Sequence, residues 1–153
     1  MTPVTISDYI LGAFEHVEVA SAYGDLFFFY NPTKDGPNEI YFATVKVSDN
    51  ELDRASGLDR PGAFRLSMGV RRATCEALFG GAGSSDRPGG AADDDYSEAN
   101  RLLPHPVYGG ANWVCVLNPT AATFEERVAP LLREAYERAV WQYHNRRRTQ
   151  TDF

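Results

Sequence analysis

Between Thr5 and Val17 the apolar side chains Ile6, Tyr9, Ile10, Ala13 and Phe14 recur every three or four residues, with Asp8 and Glu15 on the other side. This spacing predicts a short amphipathic helix opened by the capping-type pair Thr5-x-x-Asp8. The period then drops to two. Val17 to Ala22 alternates, Tyr23-Gly24-Asp25 is turn chemistry, and Leu26 to Tyr30 has bulk on both faces, so the segment predicts a hairpin. Turn formers crowd 31–37, and Glu39 to Val47 predicts a third antiparallel strand.

Residues 48–62 are polar. Phe64, Leu66, Met68 and Val70 then alternate with Arg65, Ser67 and Gly69, the signature of a strand with one core face and one polar face. Arg71 to Phe79 predicts a short helix ended by Gly80. Gly80 to Asp95 is rich in Gly, Ser and Asp with almost no apolar side chains, and is expected to be a mobile surface loop within a single domain spanning 1–153. Too few residues follow it to build a second core. Tyr96 to Leu103 reads as one or two helical turns, and Asn112 to Leu117, apolar on both faces, as an interior strand. Pro130 would lose a hydrogen bond inside a helix, which predicts a short turn over Thr123 to Val128 and a new helix with Pro130 at its first position. That helix buries Leu131, Leu132, Ala135, Tyr136, Ala139 and Tyr143, and Arg146, Arg147 and Arg148 offset its dipole at the C-terminal end. Early strands, helices at both ends and no βαβ alternation define an α+β fold: an antiparallel sheet with the N- and C-terminal helices packed on one face. The other face is expected to stay open and to carry function.

Composition narrows the function classes. The 153 residues are 43% hydrophobic and 24% charged, which suits one globular domain and excludes disorder or a fibrous repeat. A net charge of -6 opposes attraction to phosphate backbones and anionic lipid, so nucleic acid is a disfavoured partner. The longest apolar run, Leu26 to Tyr30, is far short of the ~20 residues that span a bilayer, and the start lacks signal-peptide character. A cytoplasmic protein without a membrane partner is expected. Cys75 and Cys115 each sit in an apolar segment and read as buried reduced thiols.

No G-x-S-x-G, G-x-x-x-x-G-K-[ST] or G-x-G-x-x-G occurs, so no cofactor is expected. His16, His105 and His144 are isolated, and Asp93-Asp94-Asp95 lacks the glycine turn and following Glu of a calcium loop, so no metal site is expected.

Against that background a few residues stand out. His105 lies between Pro104 and Pro106, which restrict the backbone on both sides. It is a candidate acid or base, with Tyr108, Trp113 and Asn118 as candidates for orienting a ligand; the plainer alternative is a loop cap that hydrogen-bonds a backbone carbonyl. Arg65 projects from the polar face of its strand after Asp59-Arg60-Pro61-Gly62, and its planar fork suits a carboxylate or phosphate, with Asp59 and Arg60 beside it. The alternative is an internal ion pair with Asp59 or a cross-strand acid. Trp141 falls opposite the apolar stripe of the last helix, which suits either a homodimer contact or packing against the loop.

Three phrases carry a resemblance: Asp59-Arg60-Pro61-Gly62-x-Phe64-Arg65-Leu66, Leu103-Pro104-His105-Pro106-Val107-Tyr108-Gly109 and Trp113-Val114-Cys115-Val116-Leu117-Asn118-Pro119. Together they resemble a family of bacterial, largely actinobacterial, single-domain proteins of unknown function, over about Ile6 to Tyr143. No activity is implied. The order of elements is also similar, remotely, to MmcQ/YjbR-like proteins, which implies a compact α+β fold; the DNA binding suggested for those proteins would need a basic wing. The residues themselves point first to a module that binds a small, anionic organic ligand on the open sheet face. Acid–base catalysis by His105 with Arg65 as clamp, and a protein- or DNA-interaction role, are the alternatives.

Overall fold

The alternating segments close into one antiparallel sheet. A computed structural model of the protein describes residues 1–33, 36, 40–80 and 95–151. The tract expected to form a mobile loop lies, from 81 to 94, outside the described residues. Six strands, β1 (Val17–Ala22), β2 (Asp25–Tyr30), β3 (Tyr41–Lys46), β4 (Arg65–Gly69), β5 (Leu102–Pro104) and β6 (Trp113–Leu117), pair in the order β1-β2-β3-β4-β6-β5. The helices are α1 (Pro3–Ala13), α2 (Arg72–Phe79) and α3 (Ala129–Thr151).

Local chemistry explains the ends of these elements. Tyr23 and Gly24 both have positive φ, 54° and 85°, and Ala22 pairs with Asp25, so β1 and β2 meet in a two-residue turn that matches strand twist. Asp25 is therefore the first residue of β2 rather than part of the turn. Helix α1 starts earlier than expected: Pro3 opens it, the Thr2 hydroxyl accepts from Thr5 N at 3.2 Å, and the Thr5 hydroxyl accepts from Thr2 N at 2.8 Å. Thr5 is the third residue inside the helix, not its cap.

Between β2 and β3 the register jumps, Phe28 facing Ala43 while Phe29 faces Tyr41, so β3 carries an extra residue. Phe42 and Ala43 consequently both join the core, while Tyr41 lies against Phe27 and Phe29.

Two further expectations are corrected. The stretch Tyr96 to Leu103 is not helical: 96–100 forms turns and Leu102–Pro104 is the edge strand β5, which pairs along one side with β6. The chain also does not break before Pro130. Ala121–Thr123 and a π-helical stretch, Phe124–Val128, run directly into α3, where Pro130 is the second residue. The wider π-turn absorbs the hydrogen bond that proline cannot donate.

The core lies between the sheet and the helices. Ile6 and Ile10 from α1, Cys75 from α2, and Leu132, Ala135 and Ala139 from α3 pack with Phe28, Val45, Leu66, Met68, Val114 and Val116. Full burial of a side chain such as Leu132 contributes roughly 1.5–3 kcal/mol. An aromatic knot fastens α3: Tyr136 stacks on Phe14 at 4.7 Å, meets Tyr30 and Phe42 edge-on, and donates its hydroxyl to Glu15 O at 2.8 Å.

The second face is not open as expected. Strand β4 is buried along its whole length, and the segment 48–62 lies across the Arg65 end of that face, where Ser56 is buried against Arg65. Tyr96, Leu103 and Cys115 form a small second cluster. Both cysteines are buried and neither forms a disulfide.

Candidate functional site

Antiparallel pairing fixes what the second face presents. Lys46 stands opposite Arg65, Thr44 opposite Ser67, Ser67 opposite Cys115, and Gly69 opposite Trp113. At Gly69 a Cβ would meet Trp113 Cε2 at 2.9 Å, so the indole rests on bare backbone. Between this face, the 48–62 segment and the loop after β5 lies a cleft of about 170 Å³, walled by Phe27, Tyr41, Tyr108, Trp113, His105 and Lys46, with Asp25 and Asp53 among its carboxylates.

Of the residues singled out in the sequence, His105, Tyr108 and Trp113 come together here. The Trp113 ring lies 5.3 Å from that of Tyr41, and the His105 ring lies 5.1 Å from that of Tyr108. The backbone ties the two segments, since His105 N donates to Trp113 O at 2.9 Å.

Arg65 is placed differently. It is 1% exposed, behind the cleft rather than in it, and is held by Asp53 through both terminal nitrogens. Arg65 Nη1 also donates to Ser56 Oγ at 3.0 Å, and Nη2 lies 3.4 Å from His105 Nε2. The internal partner is thus Asp53, not Asp59. Burial works against ionisation of Asp53, but the hydrogen bonds and charge of Arg65 outweigh it and lower its pKa. Arg65 Nε and Ser67 Oγ, both buried, have no hydrogen-bond partner among the described residues, a polar demand that the fold leaves unmet.

Asp59, Arg60 and Asn118 do not line the cleft. Arg60 donates to Gly57 O at 2.7 Å and Ser56 O at 2.9 Å, fastening the covering segment, and Asp59 accepts from Asp49 N at 3.4 Å. Asn118, with φ 41°, accepts from Phe64 N at 3.1 Å and donates to Gly62 O at 2.8 Å, tying the exit of β6 to the entry of β4.

The tautomer of His105 follows from its neighbours. Nδ1 accepts from the backbone N–H groups of both Val107 and Tyr108 at 3.0 Å. Two donors at that distance outweigh one guanidinium N–H at 3.4 Å, which puts the proton of the neutral ring on Nε2. A second proton is disfavoured: burial and the charge of Arg65 push the pKa down to about 4, with Lys46 adding to the fall and Asp53 opposing it. At neutral pH His105 is a neutral hydrogen-bond donor.

Lys46 and Asp25, which the sequence reading missed, form the second charged pair at 3.4 Å, each 13% exposed. Lys46 lies four residues after Phe42 on a strand already recognised, but even alternation would put it on the core face with Phe42, so its place on the cleft wall follows from the extra residue in β3 and not from the sequence pattern. Asp53 had no signal either, since it sits in an irregular segment. Burial raises the pKa of Tyr41, the neighbouring Tyr108 adding to it, so the Tyr41 hydroxyl keeps its proton. Among the described residues no group of three or more His, Cys, Asp or Glu side chains is placed to hold a metal ion. No helix among them is long and apolar enough to cross a membrane.

Fold and cleft define an α+β protein with a small, aromatic-walled cleft on the covered face of an antiparallel sheet. The chain belongs to a family of unknown function, DUF6194, whose model matches residues 1–148. No curated protein and no solved structure matches the chain.

Proposed function

We propose that the protein is a binding module that takes a small organic molecule into the cleft between Tyr41, Trp113, Tyr108 and His105. The observation that carries this reading is the convergence of four rings, Tyr41, Trp113, Tyr108 and His105, from strands and a braced loop onto one cleft. Concave sites with apolar walls and few oriented polar groups suit small ligands. The volume, about 170 Å³, is near that which holds a single six-membered ring.

The surroundings of His105 favour binding over acid–base catalysis, because a ring that stays neutral down to about pH 4 exchanges protons poorly at neutral pH. Arg65, engaged by Asp53, supports the site from behind instead of clamping an anion.

The test is a screen of fragments of about ten non-hydrogen atoms followed by ¹H–¹⁵N spectra. Binders are expected to move the Trp113 indole N–H and the amides of Val107 and Tyr108. Tyr108 is 48% exposed, so Tyr108→Ala removes a ring from the rim at little cost to the fold and is expected to weaken binding about tenfold. Binders that map to the terminal helices, or that ignore Tyr108→Ala, would overturn the reading.

A further inference from the structure

We propose that the ligand is uncharged: a planar, single-ring molecule that offers a hydrogen-bond acceptor, such as a carbonyl, along its edge. This rests on the cleft's being a binding site, as proposed above.

The charges around the cleft cancel in pairs. Asp25 is matched by Lys46, and Asp53 by Arg65 directly behind it. His105 and Tyr41 contribute no charge at neutral pH. A charged ligand would enter without a free counter-charge, and burying an uncompensated ion costs several kcal/mol.

Every carboxylate oxygen of the cleft already has a donor, while the ammonium keeps hydrogens to give. Asp25 Oδ1 accepts from Val47 N at 2.8 Å and its Oδ2 from Lys46; Asp53 Oδ1 and Oδ2 both accept from Arg65. Lys46 Nζ uses one of its three hydrogens on Asp25. His105 Nε2 is turned to the guanidinium of Arg65 behind the cleft, so the donor offered to a ligand is the Lys46 ammonium. A ligand that complements this inventory accepts hydrogen bonds.

The walls select shape. Tyr41 with Trp113 and His105 with Tyr108 are two tilted ring pairs, at 43° and 36°, contributed by different segments. Such faces hold a flat π-system by offset or edge contacts. The same rings would also attract an ammonium, but the carboxylates that would strengthen a cage for it are already engaged.

Four probes of nearly equal size separate these properties: benzamide, benzoate, benzylammonium and cyclohexanecarboxamide, titrated while the Trp113 indole N–H is followed by NMR. Benzamide is expected to bind at least about tenfold more tightly than each of the others. Benzoate or benzylammonium binding as well as benzamide would overturn the uncharged class, and equal binding by cyclohexanecarboxamide would overturn planarity; either leaves the cleft a binding site. If none of the four moves Trp113 up to its solubility limit, both this inference and the binding reading fall.

Discussion

His105 accepts two backbone N–H groups on one ring nitrogen and faces a guanidinium with the other, so a second proton has no favourable place. The unfolded chain takes that proton near the ordinary value of 6.5, the folded one only near about 4. Between those limits the unfolded state binds more protons, and stability is lost as pH falls through the window, by on the order of 3 kcal/mol in all. Asp53, whose pKa is lowered, acts with the same sign further down, below the ordinary carboxylate range. Urea unfolding from pH 7 to pH 4 is expected to show this slope. In His105→Asn, whose amide oxygen can stand in for Nδ1 but does not titrate, the slope should largely vanish; a slope that survives places its origin elsewhere. At this scale the sequence was half legible. Two flanking prolines mark His105, and alternation puts Arg65 on a polar face. What the sequence withholds is the partner, because Asp53 reaches Arg65 through the path of an irregular segment and no periodicity encodes that path.

Strands β4 and β6 are where packing reaches the cleft. Gly69 leaves no room for a side chain under Trp113, so Gly69→Ala forces the indole outward, at a cost of about 1–3 kcal/mol. Chemical denaturation is expected to show that loss, and benzamide binding should weaken with it; an alanine accommodated without change in either would mean that the indole position is not set by this contact. Elements with a sustained period were legible: β4, β6 and α3 lie where alternation and helical spacing put them. Those without one were misread. Strand β5 has three residues, too few to show a period, and is set by its pairing with β6. At Pro130 the missing donor was correctly noticed, but the chain answers it by widening a turn rather than by stopping.

For the whole molecule, the three phrases that carried the family resemblance turn out to be neighbours. Asn118 bridges to Gly62 and Phe64, His105 bonds Trp113, and Arg65 pairs with Leu117. Helices cover one face and irregular segments the other, which makes β3, β4 and β6 the best shielded strands and leaves the edge strand β1 half exposed. Amide hydrogen exchange is expected to be slowest in β4 and β6 and fastest in β1. Equal protection of β1 would mean that its outer edge is covered in solution.

The extra residue in β3 bears on more than the core. Along an even strand, odd-numbered and even-numbered positions look opposite ways, and Tyr41 and Lys46 belong to opposite parities. An unbulged β3 of this sequence could bury Ile40 with Phe42, or Ala43 with Val45, but not both pairs, and whichever it chose would put the tyrosine and the lysine on different sides of the sheet. One step out of count lets all four apolar residues go inward and brings ring and ammonium to a single wall. The cleft thus exists through a change of parity in the middle of a strand.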